Sequence, residues 1–83
     1  MNTHDTGVLA IQHAVANASP GAWRDAIVTR ADEGILLSCL SGAQLLVASS
    51  AAVTVGEPVA YHPVAEILAV GARRYSARLV ARG

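Results

Sequence analysis

The chain has 83 residues, room for one domain built around one modest core. Six arginines, no lysine and six acidic residues leave no net charge, which argues against a protein that binds nucleic acid by overall basicity. A single cysteine, Cys39, cannot form an internal disulfide, so a reduced, cytoplasmic setting is expected.

Charged residues make up 14% of the chain and hydrophobic residues 53%. An average soluble domain carries about 25% charge. A unit this small has too much surface to hide so many apolar side chains inside itself. Some of them are therefore expected to be covered by another copy or a partner, which predicts a homo-oligomer. Lysine-free, alanine- and valine-rich usage suggests coding from a GC-rich bacterial genome. Met1 to Asp5 contain no basic residue and the apolar run from Val8 to Ile11 is short, so no export signal is read.

In chain order, Thr6 to Ala18 has Val8, Ile11 and Val15 at helical spacing, with Asp5 or Thr6 as a cap and Ser19-Pro20-Gly21 as a stop. A short helix is favoured there, with an extended Val8 to Ile11 as its rival. From Trp23 the punctuation becomes that of a β protein. Ala26 to Ala31 is a strand ended by Asp32-Glu33-Gly34. Ile35 to Leu40, the Ser41-Gly42 turn and Gln44 to Ser49 form a hairpin. Val55-Gly56-Glu57-Pro58 turns the chain into Val59 to His62, and Pro63, which lacks an N–H, marks an edge, a bulge or that strand's end.

Ile67 to Val70 is a further strand, ended by a turn at Gly71-Ala72. Tyr75, Ala77, Leu79 and Ala81 then alternate with Arg74, Ser76 and Arg78, which puts the first set toward a core and leaves Val80 as an outlier on the arginine face. The expected architecture is a single mostly-β domain over residues 1–83. Residues 22–83 form a small five- to six-stranded barrel, OB-like or SH3-like, and residues 1–21 an N-terminal segment with a short helix. Ile35 to Gly56 contains no charge and is long enough to span a bilayer. Its scattered serines and the mid-window Ser41-Gly42 turn favour two strands instead.

The stretch Gly34-Ile-Leu-Leu-Ser-Cys-Leu-Ser-Gly-Ala-Gln-Leu-Leu-Val, then Val53-Thr-Val-Gly-Glu-Pro-Val-Ala, then Ile67-Leu-Ala-Val resembles the TOBE and Mop-type modules. These are OB-like barrels found on ABC-transporter ATPases and as free-standing molybdate-binding proteins. The resemblance spans roughly residues 24–70. It implies a barrel that assembles. The Ser-Ala-Arg-Asn opening associated with Mop modules is absent, Ser76-Ala77-Arg78 lies elsewhere, and there is no lysine, so no binding residue is carried over.

Candidate sites are few. The C-terminal strand gathers Arg73, Arg74, Tyr75, Arg78 and Arg82, with no acid after Glu66. If Arg74, Arg78 and Arg82 share one face they form a basic ridge for a small anion or an acidic protein partner. The plainer reading is a solvated edge whose charge discourages aggregation. His62 stands out within an apolar run, but His4 and His13 lack ligand-like spacing, so no metal or cofactor is expected and a hydrogen-bonded strand histidine is the default. Cys39 has no neighbouring positive charge in sequence and reads as core. Ser38, His62 and Asp25 make no recognisable triad, and no glycine loop cradles phosphate. The leading function is a non-catalytic, self-associating barrel that binds a small ligand or protein partner. The alternative is an OB-like nucleic-acid binder using the arginine strand and Tyr75. No membrane partner is read.

Overall fold

The computed structural model describes residues 5–83. A two-residue strand, β1 (Asp5–Thr6), precedes helix α1 (Ala10–Ala18) and a single 3-10 turn at Pro20–Ala22. Six further strands are β2 (Arg24–Arg30), β3 (Ile35–Cys39), β4 (Gln44–Ser49), β5 (Pro58–His62), β6 (Ile67–Val70) and β7 (Arg73–Arg82). Strands β2 to β7 close into an antiparallel barrel in the cyclic order β2-β3-β4-β7-β6-β5, two three-strand meanders joined by the loop before Pro58. The small barrel and its short N-terminal helix are those the turn signals and the C-terminal alternation call for. The uncharged window from Ile35 resolves into β3 and β4, and no helix among the described residues is long and apolar enough to cross a membrane.

Alternation along each strand builds the core. Val28, Leu37, Val47, Tyr61, Leu68 and Ala77 point inward and are fully buried, with Cys39 and Leu45 beside them. Gly34 permits the tight β2–β3 turn at φ +94, and a Cβ there would sit 3.1 Å from the Val47 carbonyl oxygen.

Two bulges interrupt the alternation. On β2 the pairing steps from Val28 opposite Leu37 to Arg30 opposite Leu36. On β7 it steps from Leu79 opposite Val47 to Ala81 opposite Leu46, so Val80 and Ala81 together face one residue. The second bulge corrects the expected register. Ala77 and Leu79 face the core as expected, but the inserted residue turns Ala81 outward to an exposed position. It also brings Arg82 opposite the inward-facing Leu45.

Helix α1 packs on the outside of the barrel over the β5–β6 turn, β6 and β7. Ala16 meets Ala65 and Ile67, with Val8, Val15 and Trp23 around them. Neither Asp5 nor Thr6 caps this helix. The cap position is Leu9, whose N–H donates to the Gln12 side-chain oxygen at 2.8 Å. Gln12 then turns its amide nitrogen to the Ala65 and Glu66 carbonyls and the Ser76 hydroxyl at 3.1–3.2 Å. Ile11, expected on the buried stripe, is exposed because the helix rotates to seat Gln12 and Ala16 instead.

The barrel shuts at the β6–β7 seam. β6 ends its pairing with β7 at Ile67 opposite Ser76, and β7 runs on without a strand on that side. Glu66 fills the gap. Its carbonyl accepts the Ala77 N–H at 2.9 Å and its carboxylate the Leu79 N–H at 2.8 Å. Glu66 does so from the left-handed region, φ +56, a conformation that costs a non-glycine residue about 1 kcal/mol and is held by its surroundings. Replacing Glu66 by Ala orphans the Leu79 N–H and should cost about 1–3 kcal/mol in urea denaturation. Glu66→Gln, which keeps an acceptor oxygen, should cost less. Equal losses would mean that the carboxylate–amide bond contributes little.

Candidate functional site

The five arginine-strand candidates and His62 do not converge. Arg73 is exposed at the β6–β7 turn, opposite Val70. Arg74 points outward toward α1, with its guanidinium 5.3 Å from the centre of the Trp23 ring and 3.4 Å from His13 Nδ1. Tyr75 stands opposite the buried Leu68 and so belongs to the inner face, half-buried, where it cannot act as a stacking platform beside the arginines. Arg78 lies exposed opposite Ala48, and Arg82, also exposed, is brought by the bulge into register with the inward-facing Leu45 at the barrel mouth. The single-face ridge of Arg74, Arg78 and Arg82 is therefore not formed.

His62 is fully buried, and both ring nitrogens are committed. Nδ1 accepts the Ala65 N–H at 3.0 Å, which leaves the proton on Nε2 to donate to the Ser19 carbonyl at 2.8 Å. Trp23 packs edge-on against the ring with centroids 5.1 Å apart. This histidine ties the β5–β6 turn to the chain leaving α1 and has no free valence for a ligand. No group of three or more histidine, cysteine, aspartate or glutamate side chains among the described residues could hold a metal. His62→Ala should destabilise the fold by about 2–4 kcal/mol, by the loss of two buried hydrogen bonds and a cavity under Trp23, measurable by chemical denaturation.

The feature that sequence reading misses is the barrel mouth. Arg24, at the start of β2, stands opposite Tyr61, and Arg82 opposite Leu45, so both arise from inward-facing positions at the same end. They flank a pocket of about 120 Å³. Cys39, Ala43, Leu45 and Pro63 supply apolar wall, and Ser41 a hydroxyl. Arg24 Nη1 donates to the Gly21 and Trp23 carbonyls at 3.1 and 3.3 Å, which fixes its guanidinium at the rim. The ion pair Arg30–Asp32, 3.0 Å, lies elsewhere, and no carboxylate side chain lines the mouth. Cys39, which has no positive neighbour in sequence, shares this pocket with two arginines. The signal was present only in period: residues 24, 26 and 28 alternate in phase, but Arg82 joins them only through the Val80 bulge.

Tyr61 lies fully buried on the inner face at this end of the barrel. Its hydroxyl donates to the Ala77 carbonyl at 2.8 Å. Burial, then the charge of Glu66, push its phenol up to about 12, against a smaller lowering by Arg82. The folded state therefore holds this proton above pH 10.0, where the unfolded chain has begun to release it. Stability contributed by the neutral phenol is intact below pH 10.0 and is lost as pH rises toward about 12. Tyr61→Phe should flatten that alkaline decline in thermal-melt profiles. An unchanged profile would assign the decline to other groups.

Two outer surfaces are apolar. On the outer face of β3, β4 and β7, Leu36, Leu46 and Ala81 lie in one cross-strand row, with Val80 54% exposed at its end. The other is a groove of about 440 Å³ between α1 and the β5–β6 turn, edged by the exposed Leu9, Ile11 and Val64. Gln12, Glu66 and Ser76 line its floor but spend their polar atoms on the helix anchor and seam. Comparison with protein-family models, with curated proteins and with solved structures finds no match to this chain.

Proposed function

We propose that this protein is a non-catalytic β-barrel module that self-associates through the outer face of β3–β4–β7 and holds a small anionic ligand or acidic partner with its arginines. The observation that carries the assembly is the row Leu36–Leu46–Ala81 with Val80 beside it. The solvated face of an antiparallel sheet ordinarily alternates to polar residues, whereas this row crosses three neighbouring strands without a charge. A second copy is the occupant that fits. The chain carries no net charge to repel its own kind, and a two-fold contact would set one uncharged row against another. The resemblance to TOBE and Mop-type modules supports the same reading, because it implies barrels that work in assemblies. The nucleic-acid alternative is weakened by the scattering of the arginines and the inward position of Tyr75.

Sedimentation equilibrium tests the assembly. The wild-type chain should run as a dimer or larger at micromolar concentration, and Leu46→Arg should run as a monomer with an unchanged β-type circular dichroism spectrum. A monomeric wild type, or a Leu46→Arg variant that stays assembled, would refute the proposed interface.

A further inference from the structure

We infer that the barrel mouth between Arg24 and Arg82 is a binding site for a small carboxylate with a short apolar tail. This deepens the ligand-binding half of the proposed function and rests on it, while the assembly half stands apart because the mouth lies within a single barrel.

Charge is the first ground. Arg24 and Arg82, both solvent-exposed, line one pocket, and among the described residues neither forms an ion pair with an acidic side chain. Like charges placed together without a counter-ion repel, and a bound anion relieves that repulsion. Arginine suits this task, because its planar fork presents parallel N–H groups to the two oxygens of a carboxylate. Arg24 is held in place through one nitrogen, Nη1, and its remaining N–H groups are uncommitted among the described residues. Arg82, exposed at the mouth, makes no side-chain hydrogen bond to them either. The Ser41 hydroxyl adds a third donor at the rim.

Size and lining then select the ligand. A volume of about 120 Å³ is a little below the roughly 150 Å³ of a cavity that holds one benzene, so the pocket takes a ligand of about half a dozen heavy atoms. Its polar groups are two rim arginines and one serine, and the rest is the apolar wall of Cys39, Leu45 and Pro63. An inorganic oxyanion needs donors on every side and would leave that wall uncovered. A carboxylate with two or three methylene groups puts its head between the arginines and its tail on the wall. The site owes its existence to the β7 bulge, since without the extra residue Arg82 would point to the outer face.

Titration of the full-length chain with acetate, butyrate and inorganic phosphate, monitored by amide and arginine side-chain NMR shifts, tests the site. The expected result is saturable shifts at Arg24, Cys39, Ser41, Leu45 and Arg82. Butyrate should bind more tightly than acetate by up to about fourfold per buried methylene. Arg82→Ala and Arg24→Gln should each weaken butyrate about tenfold or more, and Arg30→Ala should leave it unchanged. Leu46→Arg should bind butyrate as the wild type does, which separates this site from the assembly surface. Absence of saturable shifts at the mouth, equal binding of phosphate and butyrate, or equal response of Arg30 and Arg82 would overturn the inference and leave the assembly reading intact.

Discussion

The structure depends on the turn between β5 and β6, where one buried histidine organises everything that closes the barrel. His62 accepts the Ala65 N–H through its ring, and its own carbonyl accepts the Glu66 N–H at 2.7 Å. The turn so formed holds Glu66 in the left-handed region, and from there its carbonyl and carboxylate take two N–H groups of β7. A barrel has no free edge only if every strand finds a partner on both sides. Here β6 has four residues against the ten of β7, so a side chain completes the seam.

The same turn fixes the helix. Gln12 reaches the carbonyls of Ala65 and Glu66, and the second ring nitrogen of His62 reaches Ser19 beyond the end of α1. A nine-residue helix is too short to be stable alone in water, so its order comes from this docking and from the small Ala16–Ala65–Ile67 cluster. Trp23 covers the histidine and carries Arg74 on its own face. The polar residues that stand out in this part of the chain are thus spent on architecture.

Both proposed surfaces trace to the bulge at Val80. One inserted residue exposes Val80 and Ala81 together on the outer face, extending the Leu36–Leu46 row. It also reverses the phase of the last turn of β7, so that Arg82 joins Arg24 at the mouth. That the apolar outer row and the mouth pocket lie on opposite sides of one strand is a consequence of a single change in register, because side chains alternate with a period of two. Cys39 illustrates the effect on chemistry. It is core by composition and burial, yet it forms part of a pocket whose rim is cationic.

The sequence by itself determined the class of fold and where its strands fall. Gln44–Ser49 opens after the Ser41-Gly42 turn and Ile67–Val70 closes at Gly71-Ala72, turns whose backbone demands are local, and the inward set Ala77 and Leu79 comes from simple alternation. Only the tertiary structure decided the rest, for reasons that no local pattern carries. The bulge on β7 arises from pairing with β4, which β5 and β6 separate from it in sequence, and it moved Ala81 to the outer face and Arg82 into register with Leu45 at the mouth. The meeting of Arg24 and Arg82 joins the two ends of the barrel sequence. The cap at Leu9 and the outward turn of Ile11 were set by where Gln12 finds acceptors on the barrel, 53 and 54 residues further on. Hydrogen-bond satisfaction between distant segments, which leaves no periodic trace in sequence, placed these groups.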